Sequence, residues 1–358
     1  MTSIGPNIRG SHVEEESQRR ASELAIHTTI YPYSEENNGA LQGTRHQSRS
    51  GSLFGVGRKV AVEDDPLGLT LIQDADAPIV DLIFVHGLGG SSKKTWSYNR
   101  DVTNFWPPWL GYEVGFKGTR IFTFGYNSKF AAASTALNIL DFAKDLLFQI
   151  KNYQHPFKEE GLVIGNHPII FVVHSMGGLV VKKAFIIGRT DDHYKDMISQ
   201  TYGIVFLGTP HRGSNLAQSL NNILKATPGG SKIYVSELKN GSTSLQDINE
   251  QFKNISGDLA LVSFYEGLKT SIAFGFKTFV VDKESAVLEY NNETSKPLDA
   301  DHHGLSKFRN PEDPNYCNVR NILRVLVKRV KELSTVPSEF RFPKDKLTIY
   351  RNTFIKAP

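Results

Sequence analysis

The stretch Phe171-Val172-Val173-His174-Ser175-Met176-Gly177-Gly178 constrains this chain more than any other. An apolar, β-branched run stops at a serine. Two glycines follow within three positions, and Leu179 to Phe185 continues with helical character. The pattern predicts a strand that turns sharply into a helix. Such a turn pushes the serine hydroxyl out beyond the sheet edge and strains its backbone, which is how one large class of enzymes presents a nucleophile. The glycine two places after the serine lets the turn close without a side-chain clash. Val173 stands where G-x-S-x-G has its first glycine, so only Gly177 of that pair is kept.

The 358 residues, 39% hydrophobic and 22% charged, suffice for one large α/β domain with extensions. The net charge of +4 is mild, and no basic run reads as a nucleic-acid stripe. A single cysteine, Cys317, excludes an intramolecular disulfide framework and fits a reducing, intracellular compartment. The N-terminus lacks a charged-then-apolar signal pattern, and Glu14, Glu15 and Glu16 argue against an Arg-rich transit peptide. No apolar stretch approaches the ~20 residues that a membrane span needs. Peripheral contact with a membrane surface stays open.

Residues 1–65 are rich in Ser, Arg, Gln, Glu and Gly and are expected to be a disordered polar extension, able to carry contacts to a protein partner. The folded domain is expected over 66–333, and 334–358 as an extended tail. Strands are predicted at Ile79–Val85, Gly118–Tyr126, Pro168–Val173 and Gly203–Leu207, with Lys277–Val281 as the last clear one. Helical spacing marks Leu137–Ile150 and a closing amphipathic helix, Asn318–Leu333. Strands alternating with helices predict an α/β fold with a mainly parallel sheet covered on both faces. Residues 214–258 are where a helical cap over a site would be inserted. In such sheets the site lies beyond the carboxyl ends of the strands.

The polar motifs fall at those ends. Ser175 is the candidate nucleophile, and its hydroxyl needs a base to take its proton. His86-Gly87-Leu88-Gly89-Gly90 follows the first strong strand and could offer a backbone N–H to an oxyanion, with the N–H after the serine as the second donor; these would be Leu88 and Met176. His86, Gly87 and His174 are candidate substrate contacts. A phosphate-loop reading fails on spacing, because Leu88 and Lys93 stand where G-x-x-x-x-G-K-[ST] requires glycine. His302 and His303 lie late, as expected for the order serine, acid, histidine. Asp282 and Glu284, just past Val281, could each orient the imidazole, and the sequence does not separate them. Asp299 and Asp301 are weaker candidates. No spacing of His, Cys or carboxylates suggests a metal, and no cofactor is expected. The cluster Phe105-Trp106-Pro107-Pro108-Trp109-Leu110 could line an acyl site or touch a bilayer, but packing at a helix start is the favoured reading.

Taken in order, Phe84–Gly90, Phe124-Gly125-Tyr126, His174–Lys182, Phe206–Gly213 and Ala300-Asp301-His302 resemble a family of serine esterases and lipase-like α/β-hydrolases. That family includes the serine-active-site-containing proteins and the fungal esterase domains at the head of nucleotide-binding receptors. The resemblance covers about residues 66–333. It implies an α/β-hydrolase fold, ester hydrolysis or acyl transfer, and lipid substrates. It implies Ser175 as nucleophile and His302, not His303, as base, and it favours Glu284 as the acid. Its members suggest mitochondrial or endoplasmic-reticulum membranes as a location. A different class of function, a partner-gated signalling or cell-death module on the same domain, is the alternative.

Overall fold

Long apolar runs set the architecture. β2 (Val80–Val85), β3 (Thr119–Gly125), β4 (Ile169–His174) and β5 (Thr201–Leu207) are buried at every residue, as parallel strands covered on both faces must be. In a computed structural model, which describes residues 65–128, 139–154, 163–212, 216–227, 245–272 and 276–335, these four form the centre of a seven-stranded sheet. β1 (Gly68–Gln73) and β6 (Ala260–Glu266) flank them, and β9 (Glu293–Leu298) closes the far edge. The order is β1-β3-β2-β4-β5-β6-β9, with β1 antiparallel and every other pairing parallel. This is the α/β-hydrolase arrangement. The expected extension at 1–65 and tail at 334–358 lie outside the described residues, except for Asp65 and for Ser334 and Thr335, which still belong to the last helix.

Strand alternation divides the core in two. Ile83, Val85, Phe171, Val173, Ile204 and Phe206 face α1 (Ile139–Lys151) and α2 (Gly177–Thr190). Leu82, Phe84, Ile170, Val172, Val205 and Leu207 face α5 (Pro314–Thr335) and the Trp96–Trp106 cluster. Trp106 is fully buried, packs edge-on to Phe84 at 5.2 Å and donates its indole N–H to Ser306 O at 2.9 Å. The aromatic stretch at 105–110 is therefore packing, with Pro107 opening a 3₁₀ turn. The insertion at 214–258 supplies α3 (Leu216–Ala226) and a helix α4 at 245–255. Both bury apolar residues, Leu220 and Ile223 from one, Ile248 and Phe252 from the other, in the first core. The C-terminal end of α3 reaches the mouth of the site. Among the described residues no helix is long and apolar enough to cross a membrane.

One expected strand is displaced. Lys277–Val281 contributes only β8 (Lys277–Thr278), paired with β7 (Thr270–Ser271) in a two-stranded ribbon outside the main sheet. The backbone N–H groups of Val280 and Val281 turn away to a side chain instead of a neighbouring strand. The last two strands of the sheet are β6 and β9.

At the end of the sheet remote from Ser175, Asp81 and Arg120 sit opposite one another in the β2–β3 register. They form a bidentate pair, Nε–Oδ1 2.6 Å and Nη2–Oδ2 2.8 Å, and both are buried. Removing one partner strands the other charge in the interior, at a cost of about 3–5 kcal/mol, whereas apolar replacement of both can be nearly neutral. Arg120→Ala should therefore lower the urea midpoint sharply, and Asp81→Leu combined with Arg120→Met should recover most of that loss.

Candidate active site

β4 delivers Ser175 into a left-handed backbone conformation, φ 53°, before α2 begins. A non-glycine residue holds that conformation only where its surroundings fix it, at a cost of about 1–3 kcal/mol. Here Ser175 N–H donates to Leu207 O at 2.9 Å, and Ser175 O accepts from Gly178 N–H at 3.1 Å and from the Thr209 hydroxyl at 3.0 Å. Gly177 is required on steric grounds. A Cβ there would lie 2.4 Å from His86 O and 2.6 Å from Val85 O, both backbone atoms at the end of β2. Val173 is fully buried in the first core, so no glycine is needed at that position.

A chain of hydrogen bonds leads inward from the serine. His302 Nε2 lies 3.0 Å from Ser175 Oγ, and His302 Nδ1 lies 2.9 Å from Glu266 Oε1. Glu266 is the last residue of β6, and its carboxylate also accepts from Val280 N–H at 2.9 Å and Val281 N–H at 2.7 Å. His302 follows β9 and is anchored by its own N–H on Thr270 Oγ1, 3.0 Å. The adjacent His303 points elsewhere and donates to Ala226 O at 3.2 Å. The three side chains are buried. Burial pulls the His302 imidazole well below its ordinary pKa, with His303 adding to the effect. Burial likewise pushes the Glu266 carboxyl up, while the two backbone donors oppose that shift. A neutral imidazole, protonated on Nδ1 toward Glu266, keeps its Nε2 lone pair for the serine.

The carboxylate that meets His302 is Glu266, not Asp282 or Glu284 as expected from the sequence. Asp282 accepts from Ser285 N–H at 2.8 Å and caps the one-turn helix Lys283–Ala286, and Glu284 is exposed on it. The 280–281 loop reaches the site through its backbone, because its amides are what hold the Glu266 carboxylate.

The 86–90 loop is braced rather than free. Tyr126 N–H donates to His86 Nε2 at 3.1 Å, so the ring proton sits on Nδ1, which donates to Gly87 O at 2.9 Å. The ring stacks on Tyr126 at 4.2 Å, and the Tyr126 hydroxyl donates to His86 O. Burial holds His86 down at about 4, hence uncharged. With no exposed surface, His86 is a support for the loop and not a substrate contact, contrary to expectation. Gly87 packs against Ser175, since a Cβ there would lie 2.8 Å from Ser175 Cβ. His174 donates from Nε2 to His302 O at 2.9 Å and borders a cleft beside Leu88. Among the described residues the amides of Leu88 and Met176 have no acceptor. Among the same residues no group of three or more His, Cys, Asp or Glu is placed to hold a metal ion.

Residues 77–272 match the family described as the PGAP1-like alpha/beta domain. The chain belongs to that family. Relatives include Protein SERAC1 of Danio rerio, 31% identical over 247 residues, and that of Homo sapiens, 28% identical over 245. Each alignment covers 63% of this chain and 36% of the relative, so the chain spans about a third of the length of these proteins. Among solved structures, the Bacillus licheniformis lipase BlEst2 superposes with a TM-score of 0.45 at 16% identity, covering 72% of this chain and 97% of that one. Esterase B of Lactobacillus rhamnosis gives 0.45 at 14%, covering 75% and 89%.

In this PGAP1-like domain the elbow helix is tied down by a lysine that the sequence does not single out. Lys182, seven residues after Ser175 on α2, is fully buried. Its Nζ lies 2.7 Å from His211 Nδ1 and 2.7 Å from Asn249 Oδ1, between the rings of Phe206 and Phe252. No carboxylate touches it among the described residues, and burial pulls its pKa well below that of an ordinary lysine. An amine of lowered pKa binds fewer protons folded than unfolded. Stability should therefore rise with pH from neutrality toward the ordinary lysine value of about 10.4. Urea midpoints measured at pH 7, 8 and 9 should show this rise in wild type and a flatter profile in Lys182→Met.

Proposed function

We propose that this chain is a serine hydrolase of carboxylic esters, with lipid acyl esters as the substrate class suggested by its likeness to lipase-like proteins. The observation that carries the reading is the continuous path from Ser175 Oγ through both nitrogens of His302 to Glu266. In the proposed reaction Ser175 Oγ attacks the ester carbonyl and His302 Nε2 takes the hydroxyl proton. The N–H groups of Leu88 and Met176 receive the negative charge that develops on the carbonyl oxygen. The intermediate collapses to an acyl-serine, and His302 returns the proton to the departing alcohol. A water then repeats the sequence: His302 takes its proton, its oxygen attacks the acyl carbon, and Ser175 leaves reprotonated. Glu266 keeps the imidazole in the right tautomer and stabilises its transient charge. The steps use side chains and backbone alone. We place the protein inside the cell, free or peripheral on a membrane, in keeping with its single cysteine.

A fluorophosphonate probe should label the wild type and fail to label Ser175→Ala, while the two share one circular dichroism spectrum. Undiminished labelling of the variant would remove the assignment. Glu266→Gln should lower kcat on a p-nitrophenyl ester by about 10³–10⁴-fold. Asp282→Ala and Glu284→Ala should stay near wild type. Because His302 is held below its ordinary value, the base stays unprotonated as pH falls. The acid limb of kcat/KM should thus lie below the usual histidine pKa of about 6.5.

A further inference from the structure

Leu88 and His174, the chain neighbours of Gly87 and Ser175, border a cleft whose charge the proposed reaction does not use. Leu88, Gly89, Gly90, His174 and His303 line it, together with three basic residues, Lys94, Arg100 and Lys307. No acidic side chain lines it among the described residues. Lys94 is already committed to Asp65 at 3.0 Å. His303 spends its donor on Ala226 O. That leaves Arg100 and Lys307. Lys307 Nζ is anchored on Thr95 O at 2.9 Å, which uses one of its three hydrogens. Arg100 Nη2 reaches Gly89 O at 3.4 Å, and among the described residues most of its guanidinium has no other hydrogen-bond partner.

Two observations make this more than a surface coincidence. Asn99 and Arg100 are consecutive non-glycine residues with positive φ, 52° and 61°. Asn tolerates that conformation, but Arg does not adopt it without cost. The strained turn directs Arg100 back over the glycine loop next to Leu88. In addition, Lys307 is partly withdrawn from water, and burial together with the Arg100 charge lowers its pKa to about 8. Asp301 relieves this only in part, since its Oδ1 accepts from Gly304 N–H. Like charges held together in a partly dry cleft repel, and an anion between them turns that repulsion into attraction.

We infer that Arg100 and Lys307 form an anion subsite beside the reacting serine, so that the preferred ester carries a carboxylate or phosphate group near its scissile bond. This rests on the hydrolase reading above, and it adds a charge requirement that the reacting groups alone do not impose. The anion belongs to the substrate. Free anions of the same geometry would compete for the subsite.

The test compares p-nitrophenyl butyrate with the mono-p-nitrophenyl ester of glutaric acid, which adds a terminal carboxylate. Wild type should show at least a tenfold higher kcat/KM for the charged ester. Arg100→Glu should remove or invert that ratio, and Lys307→Met should reduce it. Inorganic phosphate at millimolar concentration should inhibit the charged ester competitively. It should also raise the melting temperature of wild type but not of Arg100→Glu. A ratio near one in wild type, or a ratio unchanged by Arg100→Glu, would overturn the inference. Phosphate stabilisation without a preference for the charged ester would overturn its substrate part and leave a site for free anions. If neither ester were turned over, the hydrolase reading would fail, and the phosphate shift in wild type against Arg100→Glu would still decide the subsite.

Discussion

At Ser175 the backbone is held left-handed between the end of β4 and the start of α2, and the geometry of the site follows from that bend. The bend needs α2 to start almost in contact with the end of β2, which only glycine at 177 permits. It needs the Ser175 carbonyl to be satisfied, which Thr209 and Gly178 do from two directions. It also needs the helix not to slide, and Lys182 pins it from below through His211 and Asn249. Ser175 is thus fixed by groups in four separate stretches of chain.

A second layer of support operates through backbone amides. Glu266 reaches His302 from the end of β6, and the loop after β8 holds it with two N–H groups. His86 holds the glycine loop by accepting from one backbone N–H and donating to one backbone carbonyl. Such contacts depend on the path of the chain and very little on side-chain identity, so they leave almost no trace in a residue pattern.

This explains what could be read in advance. The central strands were legible because parallel strands buried on both faces are near-continuous apolar runs, as at Leu82–Val85 and Ile169–Val173. The elbow was legible because serine followed by two glycines at a strand end has few other uses. The carboxylate that meets His302 is hard to place from sequence for a specific reason. Leu259-Ala260-Leu261-Val262-Ser263-Phe264-Tyr265 is as apolar as the other strands and ends on Glu266, but it stands directly after the insertion, away from the other polar motifs. Lys277–Val281 looked like a strand, yet its amides serve the carboxylate. β9, Glu-Thr-Ser-Lys-Pro-Leu, has no apolar periodicity at all, because its outer side faces water. The roles of His86 and Lys182 depend on partners 40 and 67 residues away and had no local signature.

That polar final strand has a consequence of its own. A sheet must stop somewhere, and an open margin of unpaired amides invites a neighbouring molecule to continue it. Here the margin carries a charged lysine at 296 and a proline at 297, which has no N–H to offer. A strand of this composition keeps that flank unattractive to other copies of the chain, even when they are crowded together.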